Sequence, residues 1–205
     1  MRYDAPVTYD PKVHHRRSIR LQGHDYAAGG AYFVTACVRD KSLLFGQIVE
    51  DVMAMSEAGQ IVEAAWRGLP TRFPSVVLDV HQVMPNHFHG IIVIPGSGLA
   101  PALASATSVP KIQPSAHQFV GPGLASASAG ARKGGRVGLA SIVGTFKSLS
   151  AIAVNRTLGR TGKRLWQEDY YEEIIRNVDH LQRARDYILH NAARWLEDPE
   201  NPLHS

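Results

Sequence analysis

His87 and His89 flank Phe88 inside Met84-Pro85-Asn86-His87-Phe88-His89-Gly90, and Ile91-Ile92-Val93-Ile94 follows directly. The β-branched run reads as a buried strand. Side chains alternate across a strand, so the two imidazoles share one face and Phe88 takes the other. Two imidazoles held side by side can grip one divalent cation, because a neutral ring nitrogen is a common metal donor. The spacing alone does not separate a metal pair from two histidines that merely end a strand.

A second set lies near the C-terminus. Tyr187 and Asn191 stand four residues apart, so on a helix they are neighbours on one face. His180 and Ala184 continue their stripe, which flanks an apolar stripe through Leu181, Ile188, Ala192 and Trp195. A tyrosine at the edge of a buried face can bring its hydroxyl to a cleft, and an asparagine oxygen can ligate a hard cation. Against the histidine strand, this helix would supply a nucleophile and a third metal ligand. A cation with open positions is a Lewis acid that can polarise a phosphate while the tyrosine attacks phosphorus. The covalent phosphotyrosine so formed keeps the bond energy for rejoining. The plain alternative is a helix tyrosine with its hydroxyl in water. Tyr170 and Tyr171 compete for the nucleophile's role, but strand neighbours face opposite ways and packing is the favoured role for them.

The elements that must position these residues follow from patterning. Ala31 to Val38, aromatic and β-branched, predicts a first strand. Met53 to Leu69 carries apolar residues at helical spacing, with Gly68 and Pro70 to end it. Val76 to Val83 predicts a second strand with Val76, Leu78 and Val80 on one face; Met84-Pro85-Asn86 is short enough to pair it antiparallel with the histidine strand. Leu139 to Leu158 returns to helical spacing through Leu139, Ile142, Val143, Phe146, Leu149, Ile152 and Ala153. Leu165 to Ile175 predicts a fourth strand with an irregular start, and Val178 to Leu196 a last helix capped by Asn177 and stopped by Asp198-Pro199. The first six elements give the βαββαβ order of a ferredoxin-like domain. The expected class is α+β: an antiparallel sheet with helices on one face, plus a C-terminal helix carrying the tyrosine.

Composition sets outer bounds. A chain of 205 residues fits one domain, here 31–198, preceded by a basic arm at 1–30. The arm holds His14-His15-Arg16-Arg17-Ser18-Ile19-Arg20, and arginine forks match phosphate oxygens. Residues 95–137 are rich in Ala, Gly, Ser and Pro and read as a flexible insertion ending in Arg132-Lys133-Gly134-Gly135-Arg136. The single cysteine, Cys37, excludes an internal disulfide framework and fits a reducing cytoplasm. No apolar run approaches the roughly 20 residues that span a bilayer. The net charge of +4 permits a nucleic-acid partner without demanding one.

Taken together, the chain resembles the single-tyrosine transposases of the HUH (histidine-hydrophobic-histidine) superfamily, and more closely the REP-associated tyrosine transposases. The matching phrases are His14 to Leu21, Gly30-Ala31-Tyr32-Phe33-Val34-Thr35, Val83 to Gly90, Leu165-Trp166-Gln167, Tyr170-Tyr171-Glu172 and Tyr187-Ile188-Leu189-His190-Asn191. The resemblance implies a ferredoxin-like fold, a divalent metal ion (Mg²⁺ or Mn²⁺), and cleavage of single-stranded or hairpin DNA that leaves a 5′-phosphotyrosine and a free 3′-OH. It implies His87 and His89 as metal ligands, Tyr187 as nucleophile and Asn191 as third ligand. Arg16, Arg17, Arg20, Lys147 and Arg183 are candidate phosphate contacts. Asn191-Ala192 departs from the Asn-Pro that many relatives carry, and relatives with the fuller insertion-sequence pattern have glutamine at the Asn191 position. Both a monomer and a homodimer fit. Competing readings are a ferredoxin-like nucleic-acid-binding module without chemistry, an inactive relative, and a metal-dependent hydrolase using Asp79 as base.

Overall fold

A computed structural model describes residues 29–95 and 137–203. The arm with Arg16, Arg17 and Arg20, and nearly all of the insertion expected at about 95–137, lie outside the described residues.

Four strands make the main sheet: β1 (Gly30–Cys37), β4 (Val77–Val83), β5 (His87–Ile94) and β6 (Tyr171–Ile175). Their order is β4-β5-β1-β6, every neighbouring pair antiparallel. Helix α1 (Glu57–Arg67) lies between β1 and β4 in the chain, and α3 (Leu139–Thr157) between β5 and β6. This is the ferredoxin-like βαββαβ arrangement expected. Phe88, Trp66, Phe146 and Trp166 form the centre of the core on the α1/α3 side, with Trp66 and Phe88 ring centres 4.6 Å apart. Helix α4 (Val178–His190) covers the opposite face, packing Leu181 and Ile188 against Ala31, Phe33, Ile91 and Val93. Both faces of β5 are therefore buried, as its uninterrupted apolar run requires.

Several boundaries differ from the sequence reading. The helix expected from Met53 begins at Glu57, because a hairpin of β2 (Gly46–Val49) and β3 (Val52–Met55) uses the preceding residues. Its two-residue turn places Glu50 and Asp51 at φ 50° and 62°, the left-handed pair that matches hairpin twist. Ser56 then caps α1, its hydroxyl accepting from the Gly59 N–H at 3.2 Å. A one-turn helix α2 (Leu69–Arg72) follows Gly68.

The fourth strand forms only from Tyr171; Trp166 makes an isolated bridge to Val38 instead. The last α-helix stops at His190, and residues Ala192–Glu197 form a 3-10 helix kinked at Arg194. Asn177 caps α4 as expected, accepting from the His180 N–H at 2.8 Å.

Two face assignments change as well. In β4, a bulge between Leu78 and His81 adds one residue against β5, so Leu78 packs with the α1/α3 core while Val80 packs under α4. In α3, Ile152 is 66% exposed, while Ser150 and Val154 are buried. The Ser150 hydroxyl donates to the Phe146 carbonyl and accepts from the Trp166 indole N–H at 3.0 Å.

Candidate metal and tyrosine site

The start of β5 places His87 and His89 on the α4 side of the sheet, fully buried. Gly90 follows because nothing larger fits: a Cβ there would meet Trp66 Cζ2 at 2.5 Å and Phe88 Cε1 at 2.9 Å. The two imidazoles turn their Nε2 atoms toward each other at 2.9 Å. Their outer nitrogens are held from behind. His87 Nδ1 lies 2.9 Å from Asn86 Oδ1, and His89 Nδ1 lies 2.7 Å from Thr35 Oγ1. Such partners orient metal-binding histidines and fix which nitrogen is free.

The chain beyond α4 closes the site. The 3-10 helix brings the Trp195 ring to 6.0 Å from His87, and Asp198 Oδ2 to 3.7 Å from His87 Nε2. One donor atom each from His87, His89 and Asp198 falls within 4.8 Å of the others, and all three residues are buried. Asp198 is held in place by the Glu200 N–H, which donates to its Oδ1 at 2.7 Å. Sequence reasoning saw Asp198 only as a helix stop. An acid shortly after the tyrosine helix was the one signal available, and nothing in the sequence foretold the turn that folds it back.

Tyr187 projects from α4 over the same spot. Its ring centre is 5.4 Å from that of His89 and 5.9 Å from that of Phe33, and it is 38% exposed. Asn191, the C-cap of α4, is buried, and its Oδ1 has no hydrogen-bond partner. An orphaned buried carbonyl oxygen is costly unless something coordinates it.

Electrostatics follow from burial. Desolvation, and then the Lys41 charge, hold His87 down to about 3. Desolvation and the neighbouring His87 hold His89 well below the ordinary imidazole value. Both rings are thus neutral at physiological pH, the form that binds metal. Burial and the Asp198 charge push the Tyr187 phenol up, opposed by its hydrogen bond with Asn191. Burial also pushes up the Cys37 thiol, whose Cα pairs with that of His87 across the sheet.

These donors fit a divalent cation. Two imidazoles, one carboxylate and an amide oxygen form a mixed N/O set, better suited to a transition ion such as Mn²⁺ than to all-oxygen Mg²⁺ coordination.

The other candidates fall outside this cluster. Lys147 spends its ammonium on the carbonyls of Gln167, Glu168 and Asp169, at 2.8, 2.8 and 3.1 Å, tying α3 to the segment before β6. Arg183 is exposed on α4. Tyr170 packs with the α1/α3 core, under Lys147. Tyr171 lies on the site's side of the sheet, 6.2 Å from Phe33, with its hydroxyl donating to Glu173 Oε2 at 3.2 Å. Asp79 is paired with Arg185, which takes it away from a role as hydrolytic base. A stacking nucleic-acid module needs open aromatics on its sheet; here α4 covers Phe33.

No protein-family model matches the chain. An uncharacterized protein of Haemophilus influenzae is 33% identical over 196 residues, spanning 93% of this chain and 95% of that protein. Among solved structures, a REP-associated tyrosine transposase bound to a REP hairpin superposes with a TM-score of 0.52 at 18% identity, covering 88% of this chain and 74% of that one. The molecule is therefore an α+β protein with the ferredoxin-like fold of the REP-associated tyrosine transposases, which bears out the resemblance at the level of fold. The chain belongs to the same family as the Haemophilus influenzae protein. Among the described residues, no helix is long and apolar enough to cross a membrane.

Proposed function

We propose that this protein is a metal-dependent transposase-like enzyme that cuts and rejoins single-stranded DNA, at hairpin sequences of the REP type. The observation that carries the proposal is the edge-on packing of the Tyr187 ring against His89, ring centres 5.4 Å apart, beside two imidazole nitrogens and a carboxylate that converge on one point.

In this reading His87, His89 and Asp198 hold the cation, with the orphaned Asn191 oxygen beside them. When bound, the cation polarises a phosphodiester and offsets charge that develops on it. Tyr187 supplies the nucleophile. Its oxygen forms a bond to phosphorus as the bond from phosphorus to the 3′-oxygen breaks, giving a 5′-phosphotyrosine and a free 3′-OH. As the phenol loses its proton the departing 3′-oxygen takes one up, so the step is proton-neutral; water at the partly exposed Tyr187 can relay it. The 3′-OH of the same or another strand reverses the step, so no external energy source is needed. Arg16, Arg17, Arg20 and Arg183 are proposed phosphate contacts. Lys147 is proposed to act on DNA through the 167–169 segment it anchors.

The test is incubation with labelled single-stranded hairpin DNA, including the DNA flanking the protein's own gene, with Mg²⁺ or Mn²⁺. Denaturing gels and mass analysis then read the product. A covalent adduct that needs metal and vanishes in Tyr187→Phe supports the reading. An adduct that survives in Tyr187→Phe moves the nucleophile to Tyr171, and tight binding without any adduct sinks the enzymatic reading.

A further inference from the structure

We propose that Asn86 is a positioning residue that locks His87 as the Nδ1-protonated tautomer, leaving the mobile proton of the site on His89. The purpose assigned to this lock rests on the reading of His87 and His89 as metal ligands; the lock itself does not.

The argument starts from two atoms that can only accept. Asn86 Nδ2 lies 3.2 Å from the Lys41 carbonyl oxygen and 2.6 Å from the Glu200 carbonyl oxygen. Neither carbonyl can donate, so the atom between them is the amide nitrogen, with one N–H for each. That settles which way the amide faces. The other terminus of the side chain is then the oxygen, again an acceptor only. It lies 2.9 Å from His87 Nδ1, so His87 Nδ1 carries the hydrogen. A neutral imidazole with its hydrogen on Nδ1 has a lone pair on Nε2.

The next contact follows in turn. His87 Nε2 and His89 Nε2 are 2.9 Å apart, and two lone pairs do not face each other at that distance without a hydrogen or a cation between them. In the metal-free protein His89 therefore donates through Nε2–H. Its Nδ1 accepts from the Thr35 hydroxyl at 2.7 Å. The chain of hydrogen bonds runs one way, from Thr35 through His89, His87 and Asn86 to two backbone carbonyls.

The two histidines differ in what holds them. Asn86 is buried and cannot reverse, because both its donors are committed. Thr35 can reverse, because a hydroxyl rotates and both donates and accepts. For both Nε2 lone pairs to face a cation, only His89 must change, moving its proton from Nε2 to Nδ1, where the Thr35 oxygen accepts it. No proton is gained or lost overall. One anchor of Asn86 is the Glu200 carbonyl, 114 residues away, so the tautomer depends on the chain segment that also carries Asp198.

The test is nitrogen-15 NMR of histidine-labelled, metal-free full-length protein, reading which ring nitrogen of each histidine bears the proton. The expected result is Nδ1–H at His87 and Nε2–H at His89. Nε2–H at His87 overturns the proposal whatever else is found. Mn²⁺ affinity is then measured by titration calorimetry. Asn86→Leu, nearly isosteric but unable to accept, should lose about 10- to 100-fold in affinity, the usual cost of losing a partner behind a metal-binding histidine. Asn86→Asp keeps an acceptor toward Nδ1 but loses both donors to the Lys41 and Glu200 carbonyls, so where it folds it should retain the Nδ1–H tautomer at His87 while unfolding at lower denaturant than the wild type. A folded Asn86→Leu with unchanged tautomer and unchanged affinity overturns the proposal. If neither variant folds, the wild-type spectrum decides alone. If the tautomers are as expected but Mn²⁺ does not bind, the metal reading fails and the lock stands.

Discussion

Arg185 and Asp79 meet in a buried fork, with Nε donating to Oδ1 at 3.0 Å and Nη2 to Oδ2 at 2.6 Å. The pair joins the tyrosine helix to an edge strand, at the bulge that turns Asp79 and Val80 out of register with β5. Arg185 precedes Tyr187 by two residues, so the fork sets where the helix lies against the sheet. Breaking such a pair leaves one charge buried without its partner.

Asp79→Ala should therefore cost about 3–5 kcal/mol of stability, the range for stranding one member of a buried ion pair. Denaturant unfolding measures it. The double variant Asp79→Leu/Arg185→Met should lose much less, because no charge is left stranded. Equal losses in the two would mean that the fork is solvated.

Gly90→Ala should be destabilising by about 1–3 kcal/mol, the usual cost of overpacking a core. The added methyl would press on the rigid Trp66 indole, itself wedged between Phe88 and Phe146. Pairing it with Trp66→Phe should recover part of the loss in thermal unfolding. A neutral Gly90→Ala would show that the tryptophan has room to move.

How much of this was legible from the sequence depends on where each cue lay. The β-branched run after His89 and the alternation rule placed both imidazoles on one face, and that held. The four-residue spacing brought Tyr187 and Asn191 together, and Asn177 marked the helix start. The β2–β3 hairpin was missed because Glu50-Asp51 lacks the Asn-Gly or Asp-Gly signature, although both residues adopt positive φ. The bulge at Asp79 was invisible because Val76, Leu78 and Val80 alternate as if β4 were regular. Asp198 was missed because its place in the site depends on the kinked 3-10 helix after α4, a tertiary event without local pattern.

Cys37 should be inert. Its thiol is pushed up by burial and by the carboxylates of Glu200 and Asp198, so almost none is thiolate at neutral pH. Labelling by iodoacetamide should be slow in the folded protein and fast in denaturant. Fast labelling of the folded form would show that the site's floor opens readily.

Acid should destabilise the metal-free protein through its two buried imidazoles. In the unfolded chain each takes up a proton near pH 6.5. In the folded chain His87 resists protonation down to about 3, and His89 is shifted the same way. The unfolded state thus binds more protons throughout that window, and stability falls as pH falls. Above about pH 6.5 the contribution is flat; below it the loss from His87 approaches about 1.4 kcal/mol per pH unit, and His89 adds to it in the same direction. Urea titrations at pH 7, 6 and 5 measure the slope, and His89→Gln should reduce it. A slope unchanged in that variant would place the acid sensitivity elsewhere.

Asp198→Asn tests the third donor directly. The amide keeps the shape and can still accept the Glu200 N–H, so the turn should hold. It removes the negative charge 3.7 Å from His87 Nε2, and a carboxylate is the natural oxygen donor for Mn²⁺ in this set. Mn²⁺ affinity should drop by roughly tenfold or more, about 1.4 kcal/mol. Asn191→Ala should weaken binding less, because a neutral amide oxygen contributes less charge, while making adduct formation more sensitive through its contact with Tyr187. If Asp198→Asn leaves affinity untouched and Asn191→Ala abolishes it, the third ligand is the helix asparagine that the sequence singled out. Asp198 would then be a buried acid that only braces the C-terminal turn.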